Sequence, residues 1–135
     1  MSDYEKPVII IDLRNKTLWV QQSVFKLLGS PKYIQFYINR SRTALGIKRC
    51  SQSADQAVKV PNNRNDYYKL YGNNIERLFC KVCVGWDGDS SYMVKGTVTS
   101  DRTLVCFNML NAEIMNRNEV PAENENSIAD TQNRS

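Results

Sequence analysis

The stretch YIQFYI at residues 33–38 decides the fold, because its apolar and polar side chains alternate with the period of a β-strand. Its two isoleucines and its phenylalanine fall on one face, and its two tyrosines and its glutamine fall on the other. A polar turn follows at residues 39–42, and residues 43–48 return as a partner strand with Leu45 and Ile47 facing inward. The pattern predicts an antiparallel hairpin with one face against a core.

On the N-terminal side of this hairpin, two strands and a short helix are predicted. Residues 8–13 form a β-branched apolar run, and residues 17–20 resume extended character after a polar break, so we expect a tight hairpin. Residues 22–28 change to helical spacing, with Ser23 as the expected N-cap. Gly29 is expected to end this helix.

On the C-terminal side, residues 49–57 are expected to be a loop and residues 58–60 one more short strand. Apolar spacings of three and four predict a longer helix from residue 65 or 66 to about residue 84. Residues 92–98 and 103–107 are expected to form a second hairpin, and 108–115 a short closing helix.

These elements predict a single α+β domain over residues 1–115, with two β-hairpins and a short and a longer helix packed on an antiparallel sheet. Residues 8–50 form the hairpin half, and residues 65–115 form the helix with the second hairpin. Residues 116–135 are rich in Asn, Glu and Ser and are expected to be a disordered polar tail.

The sequence contains no histidine, which removes Ser-His-Asp and Cys-His catalytic sites. Cys80 and Cys83 form a Cys-x-x-Cys pair, which is half of a zinc site, a redox pair or core filler. Core filler is the preferred interpretation, because Cys83 falls on the apolar face of the predicted helix. We therefore expect no catalytic site, no metal and no cofactor.

No apolar run approaches the roughly 20 residues that a membrane span requires. The first six residues include acids and do not have the basic start and apolar core of a signal peptide. The sequence therefore predicts a cytoplasmic protein with no membrane partner.

Positive charge is concentrated in the first part of the chain. Residues 1–60 have a net charge of +6, and residues 61–135 have a net charge of −2. A field concentrated in this way attracts polyanions, and side chains on turns can converge on a phosphate backbone. The predicted nucleic-acid-binding residues are Arg14, Lys16, Arg40, Arg42, Lys48 and Arg49. Ser41-Arg42-Thr43 and Asp101-Arg102-Thr103 also occupy matching positions in two predicted turns.

Residues 8–50 resemble the AbrB/SpoVT swapped-hairpin DNA-binding domain. The resemblance lies in the strand 17–20, a short helix ending Leu27-Leu28-Gly29, the strand 33–38 and Leu45-Gly46-Ile47. It implies that two chains intertwine as a dimer and that arginines on strands and loops contact DNA. Arg14, Lys16, Arg40 and Arg42 are the residues to which this role carries over.

Three functions follow as hypotheses. The first is a dimeric DNA-binding transcriptional regulator that uses the basic hairpin turns. The second is a small phage or mobile-element accessory protein that binds and inhibits a host protein, since several tyrosines lie on predicted strand faces and suit interfaces. The third is an enzyme that uses a carboxylate or a cysteine, for which the sequence offers no paired constellation.

Overall fold

A computed structural model describes residues 6–61 and 66–115. The strands are β1 (Val8–Asp12), β2 (Thr17–Gln21), β3 (Tyr33–Ile38), β4 (Ala44–Cys50), β5 (Val58–Lys59), β6 (Tyr67–Leu70), β7 (Ser91–Val98), β8 (Leu104–Asn108) and β9 (Glu113–Met115). The helices are α1 (Gln22–Leu27) and α2 (Asn73–Val82), and Met109–Asn111 form a 3₁₀ turn. None of the helices in the described part of the chain is long and apolar enough to cross a membrane.

The nine strands of the described residues form one antiparallel sheet that curls into a half-barrel, and eight of them follow the order β5-β3-β4-β8-β7-β1-β2-β6. Strand β7 joins the two parts of the sheet, because its first five residues pair with β1 and its last three pair with β8. Strand β9 also pairs with β7. The α+β class is confirmed. The predicted architecture of two β-hairpins is not matched, because the hairpin strands β3–β4 and β7–β8 are joined with the other strands in one nine-stranded sheet.

One face of the sheet, the inner face, packs against both helices and forms the main core. Strand residues alternate in direction, so every second residue of each strand contributes to it. The fully buried members from the strands include Ile9, Ile11, Leu18, Val20, Ile34, Leu45, Ile47, Val94, Val105 and Phe107. The helices contribute Val24, Phe25, Ile75, Leu78, Phe79 and Val82.

The opposite face, the outer face, has a smaller apolar cluster. Val8, Ile10 and Trp19 are buried there, and Tyr67 and Met93 pack against them. Strand β1 is therefore buried on both faces, which accounts for its continuous apolar sequence.

The predicted helix from residue 65 or 66 begins too early. Tyr67–Leu70 is strand β6, paired with β2, and α2 begins only at Asn73. Gly72 separates the two elements with a φ of +111°, a conformation that an L side chain rarely adopts. The spacing of the aromatic residues of β6 is also compatible with a helix, but pairing with β2 makes this segment a strand.

Three smaller predictions are also wrong. Residues 108–115 form the 3₁₀ turn and β9, since Glu113–Met115 add to the edge of β7. Strand β4 extends to Cys50, into the predicted loop. Ser23 does not cap α1, because its hydroxyl donates to Gln21 Oε1 at 3.0 Å. The predicted tail at residues 116–135 lies outside the described residues.

Candidate nucleic-acid interface

The β1–β2 and β3–β4 turns, which hold four of the six predicted cations, lie at the same end of the sheet. Four antiparallel pairings lead from β3 through β4, β8 and β7 to β1, so β3 and β1 run in the same direction. Their carboxyl ends therefore point to the same end of the sheet. Strands β4, β8 and β7 lie between them, and the two ends are staggered along β7, since Ile38 aligns with Gly96 and Asp12 with Ser91. We call this end, defined by Arg14, Lys16, Arg40 and Arg42, the basic end.

The β1–β2 turn is closed by the buried carboxylate of Asp12. Its oxygens accept hydrogen bonds from the backbone N–H of Asn15 at 3.2 Å and from the Asn15 side-chain amide at 2.8 Å. Arg14 and Lys16 are exposed, and Lys16 has a φ of +55°. The buried Asp12 carboxylate thus fixes the conformation of the turn, and the side chains of Arg14 and Lys16 remain in solvent.

The β3–β4 turn is closed by the side chain of Asn39. Its Oδ1 accepts hydrogen bonds from the backbone N–H groups of Thr43 at 2.8 Å and Ala44 at 2.9 Å. The Arg42 N–H donates to the Asn39 carbonyl at 3.0 Å, and Arg42 has a φ of +62°. The side chains of Arg40 and Arg42 are exposed.

Helix α2 places one charged side chain near each of the two turns. Its first turn carries Glu76, whose carboxylate lies 3.9 Å from Lys16 Nζ in an exposed ion pair. An exposed pair of this kind contributes about 0–1 kcal/mol, so Lys16 can exchange Glu76 for a phosphate. In the last turn of the helix, Lys81 lines a groove of about 310 Å³ together with Arg42.

Arg42 and Arg102 occupy equivalent positions in two hairpin turns, as their matching sequence indicated. The Arg102 N–H donates to the Thr99 carbonyl at 2.9 Å, and its φ is +59°. Strand β7 runs opposite to β1, so the turn that follows it lies at the end of the sheet away from the basic end.

Lys48 and Arg49 do not join the basic end, because they lie toward the far end of β4 and point to opposite faces. Lys48 is on the outer face, with its ammonium group 5.5 Å from the centroid of the Tyr37 ring. Arg49 lies on the inner side, where its Nη1 donates to the Leu28 carbonyl at 3.5 Å. A cation at the C-terminus of α1 stabilises that helix, which gives Arg49 a structural role.

The outer face carries lysines that the sequence-based prediction missed. Lys69 lies 5.9 Å from the Trp19 ring centroid and 5.5 Å from that of Tyr71. Lys59 lies opposite Tyr33 on the neighbouring strand, and Lys95 is exposed on β7. The signal that could have found them is strand alternation, which places each on the face opposite the core.

A groove of about 650 Å³ lies at the far end, beside α1. It is lined by Lys26, Lys32 and Lys59, with Tyr33 and Phe25 among its other lining residues. None of the described residues that line it is a carboxylate, so these residues extend the positive potential from the outer face round the β3–β5 edge.

The two cysteines of the Cys-x-x-Cys pair differ in burial. Cys83 is buried, and desolvation, together with the nearby Cys80 thiol, raises its pKa to about 12, whereas Cys80 is exposed. Among residues 6–61 and 66–115, no three histidine, cysteine or acidic side chains are grouped to hold a metal ion. The backbone N–H of Asp89 and the Ser90 hydroxyl lower the pKa of Asp87, as expected of a carboxylate that closes a turn.

The described residues carry fifteen lysines and arginines against eight aspartates and glutamates, a formal net charge of +7. The acids at the basic end, among the described residues, are Asp12, which is buried and bonded to Asn15, Glu76, which faces Lys16, and the turn residues Asp87 and Asp89. Two cation-rich surfaces result, the basic end and the outer face. No protein-family model, curated protein or solved structure matches this chain.

Proposed function

We propose that this protein is a DNA-binding transcriptional regulator that contacts duplex DNA through its basic end. The supporting observation is that two separate turns at that end present four exposed cations, Arg14, Lys16, Arg40 and Arg42. Lys16 and Arg42 also have left-handed backbone conformations. Such a φ costs a residue with a side chain about 1–2 kcal/mol, and hairpins usually place Gly, Asn or Asp there. Arg102 shares this conformation at the other end of the sheet, so the exposure and common end of the four cations, rather than backbone strain, support the proposal.

The chemistry of the basic end suits phosphates. Arginine binds a phosphate through two parallel hydrogen bonds, and Arg14, Arg40 and Arg42 are exposed for this. Lys16 adds a point charge, and Lys81 adds another beside Arg42. Contacts of this kind position a protein on the duplex without reading its sequence, so the choice of operator needs further contacts to base edges.

A matched pair of variants tests this function. We expect Arg42→Gly to weaken binding to a fluorescein-labelled duplex about 5- to 10-fold in anisotropy titrations at low salt, because a charge-assisted phosphate contact is lost. Arg102→Gly makes the same change in an equivalent turn at the other end of the sheet and should bind as the parent does. Equal affinities for all three proteins, or no binding by the parent, would reject the function.

The dimer implied by the AbrB/SpoVT resemblance is part of this proposal. Sedimentation equilibrium tests it: a mass twice the 15.5 kDa of the chain is expected, and a mass equal to it would remove dimerisation.

A second candidate is the phage or mobile-element accessory protein that binds a host protein. Val84 and Leu110 are each 74% exposed, and both line the groove that contains Arg42 and Trp86. Exposed apolar side chains rimmed by cations suit a protein interface. A host protein captured from nuclease-treated lysate by the parent, and not by Leu110→Asp, would favour this function; equal capture by both would count against it.

A further inference from the structure

The outer face combines aromatic rings with lysines across the whole width of the sheet. Register places Lys59 beside Tyr33, Lys48 beside Gln35 and Lys69 beside Trp19. We call the following set the aromatic–lysine face: Trp19, Tyr33, Tyr37, Lys48, Lys59, Lys69, Tyr71 and Lys95.

Each of the two most exposed tyrosines of this face has an ammonium group beside its ring. Lys48 Nζ lies 5.5 Å from the centroid of Tyr37, which is 46% exposed. Lys69 Nζ lies 5.5 Å from the centroid of Tyr71, which is 71% exposed. A base stacked on either ring would bring its own phosphate within reach of the neighbouring lysine.

The Tyr37 ring is supported by its neighbours. Gly46 lies directly opposite Tyr37, and a Cβ at Gly46 would come within 2.9 Å of Leu104 Cδ1, so the glycine gives Leu104 room to pack there. The Tyr37 hydroxyl also donates to Gln35 Oε1 at 3.2 Å. A ring held in this way loses little conformational entropy when a base stacks on it.

The charge of the aromatic–lysine face favours a polyanion. Lys48, Lys59, Lys69 and Lys95 lie on it, and Glu113 is the exposed carboxylate among the described strand residues of the outer face. Asp12 also belongs to this face, but it is buried and bonded to Asn15. Lys48, Lys59 and Lys95 are exposed, Lys69 is half-buried, and Asp55 lies in the loop that is bonded to Gln35 of this face. The exposed lysines therefore outnumber the exposed carboxylates Glu113 and Asp55 beside them.

We propose that the aromatic–lysine face binds single-stranded DNA, an inference that takes its ligand class from the proposed DNA-binding function. A duplex keeps its bases stacked inside, whereas a single strand presents them to tyrosine rings. Tyr37 and Tyr71 are separated by six strand spacings, about 29 Å across the strands of the curled sheet. They are also staggered along the strands, because Tyr37 aligns with Thr97 of β7 and Leu70 aligns with Tyr92. Single-strand sites of 4–16 nucleotides are common, so one strand would reach both rings.

Anisotropy titration of fluorescein-labelled dT12 at low salt tests the inference. We expect Tyr37→Ala and Tyr71→Ala each to weaken binding about 5- to 100-fold, because stacking on one ring contributes about 1–3 kcal/mol per base. Tyr37→Phe keeps the ring and should bind as the parent does. Both tyrosines are partly exposed, and a melting curve for each variant shows whether it is folded.

Measuring the binding of duplex DNA and of dT12 by the same variants distinguishes this inference from the proposed function. Tyr37→Ala should leave duplex binding unchanged, and Arg42→Gly should leave dT12 binding unchanged. If the parent binds duplex but not dT12, the inference fails and the function stands; if it binds dT12 but not duplex, duplex binding at the basic end fails. Unchanged dT12 affinity in both alanine variants, or tenfold tighter binding of U12 RNA, would also overturn the inference.

Discussion

Arg42 and Arg102 differ in their surroundings but share one backbone conformation. Both close a hairpin turn at a positive φ and donate a backbone hydrogen bond across that turn. At this scale, sequence predicted well: the positions of Arg14, Lys16, Arg40 and Arg42 on exposed turns follow from local turn chemistry. The left-handed conformations of Lys16, Arg42 and Arg102 could not be predicted, because Lys and Arg rarely adopt them.

The first prediction concerns the strain in these turns. Arg42→Gly and Arg102→Gly should each raise the free energy of unfolding by about 0.5–1 kcal/mol, since glycine relieves the left-handed strain and the greater entropy of its unfolded chain offsets part of the gain. Urea unfolding measures this. The control is alanine at the same positions, which keeps the strain and should give no increase; an equal gain with alanine would contradict strain as the cause.

Gly96 provides a second prediction, on packing. A Cβ at this position would lie 2.5 Å and 2.7 Å from two atoms of the Phe107 ring and 2.9 Å from the Cys106 carbonyl oxygen. Gly96→Ala should therefore lower the free energy of unfolding by about 2–3 kcal/mol, because the buried ring must shift. Gly88→Ala is the control, since nothing lies within 4 Å of its Cβ position. Similar urea midpoints for the two variants would contradict this packing.

At the scale of elements, the first half of the chain was predictable and the second half only in part. Strands β1 to β4 and helix α1 follow from local alternation and from one change of period, with small errors at their ends. Strand β6 does not, because its partner is β2, which lies about 50 residues earlier in the chain. Strand β9 likewise depends on the edge of β7, which no local pattern reveals.

Helix α2 gives a third prediction, on thiol reactivity. At pH 8 we expect Cys80 and Cys106 to react rapidly with dithionitrobenzoate, because both are exposed. Cys83 should stay unreactive until the protein unfolds, because it is buried and its pKa is raised to about 12. Cys80→Ser should remove one rapid thiol and Cys83→Ser none. Loss of a rapid thiol in Cys83→Ser would contradict the burial of this helix face.

The β7–β8 turn gives a fourth prediction, on pH. Hydrogen bonds from the Thr99 and Thr103 hydroxyls and from the Thr103 backbone lower the pKa of Asp101. The pKa of Asp101 is therefore lower in the folded protein than in the unfolded chain, where it is near 3.8. The stabilisation from these hydrogen bonds is complete above the pKa of the unfolded chain and is lost as the pH falls through the pKa of the folded protein. The stability difference between the parent and Asp101→Asn should therefore shrink between neutral and strongly acidic pH. Urea unfolding across that range tests it, and a constant difference would contradict it.

At the scale of the whole molecule, the order of the nine strands could not be predicted. It is set by the pairings of β1 with β7 and of β4 with β8, which join parts of the chain more than 50 residues apart. The same pairings decide the candidate sites, because they bring the β1–β2 and β3–β4 turns to one end and spread the lysines over the outer face. The sequence identified the cations of the two turns. The fold places Lys48 and Arg49 away from these turns, on opposite faces of β4.

The salt dependence of duplex binding tests the basic end most directly. Each phosphate neutralised contributes about −0.9 to the slope of log K against log salt concentration. Replacing Arg14, Lys16, Arg40 and Arg42 together by alanine should therefore make the slope less negative by about 3 to 4 and weaken binding at every salt concentration. An unchanged slope in the fourfold variant, with the protein still folded, would contradict the assignment of these residues to the DNA interface.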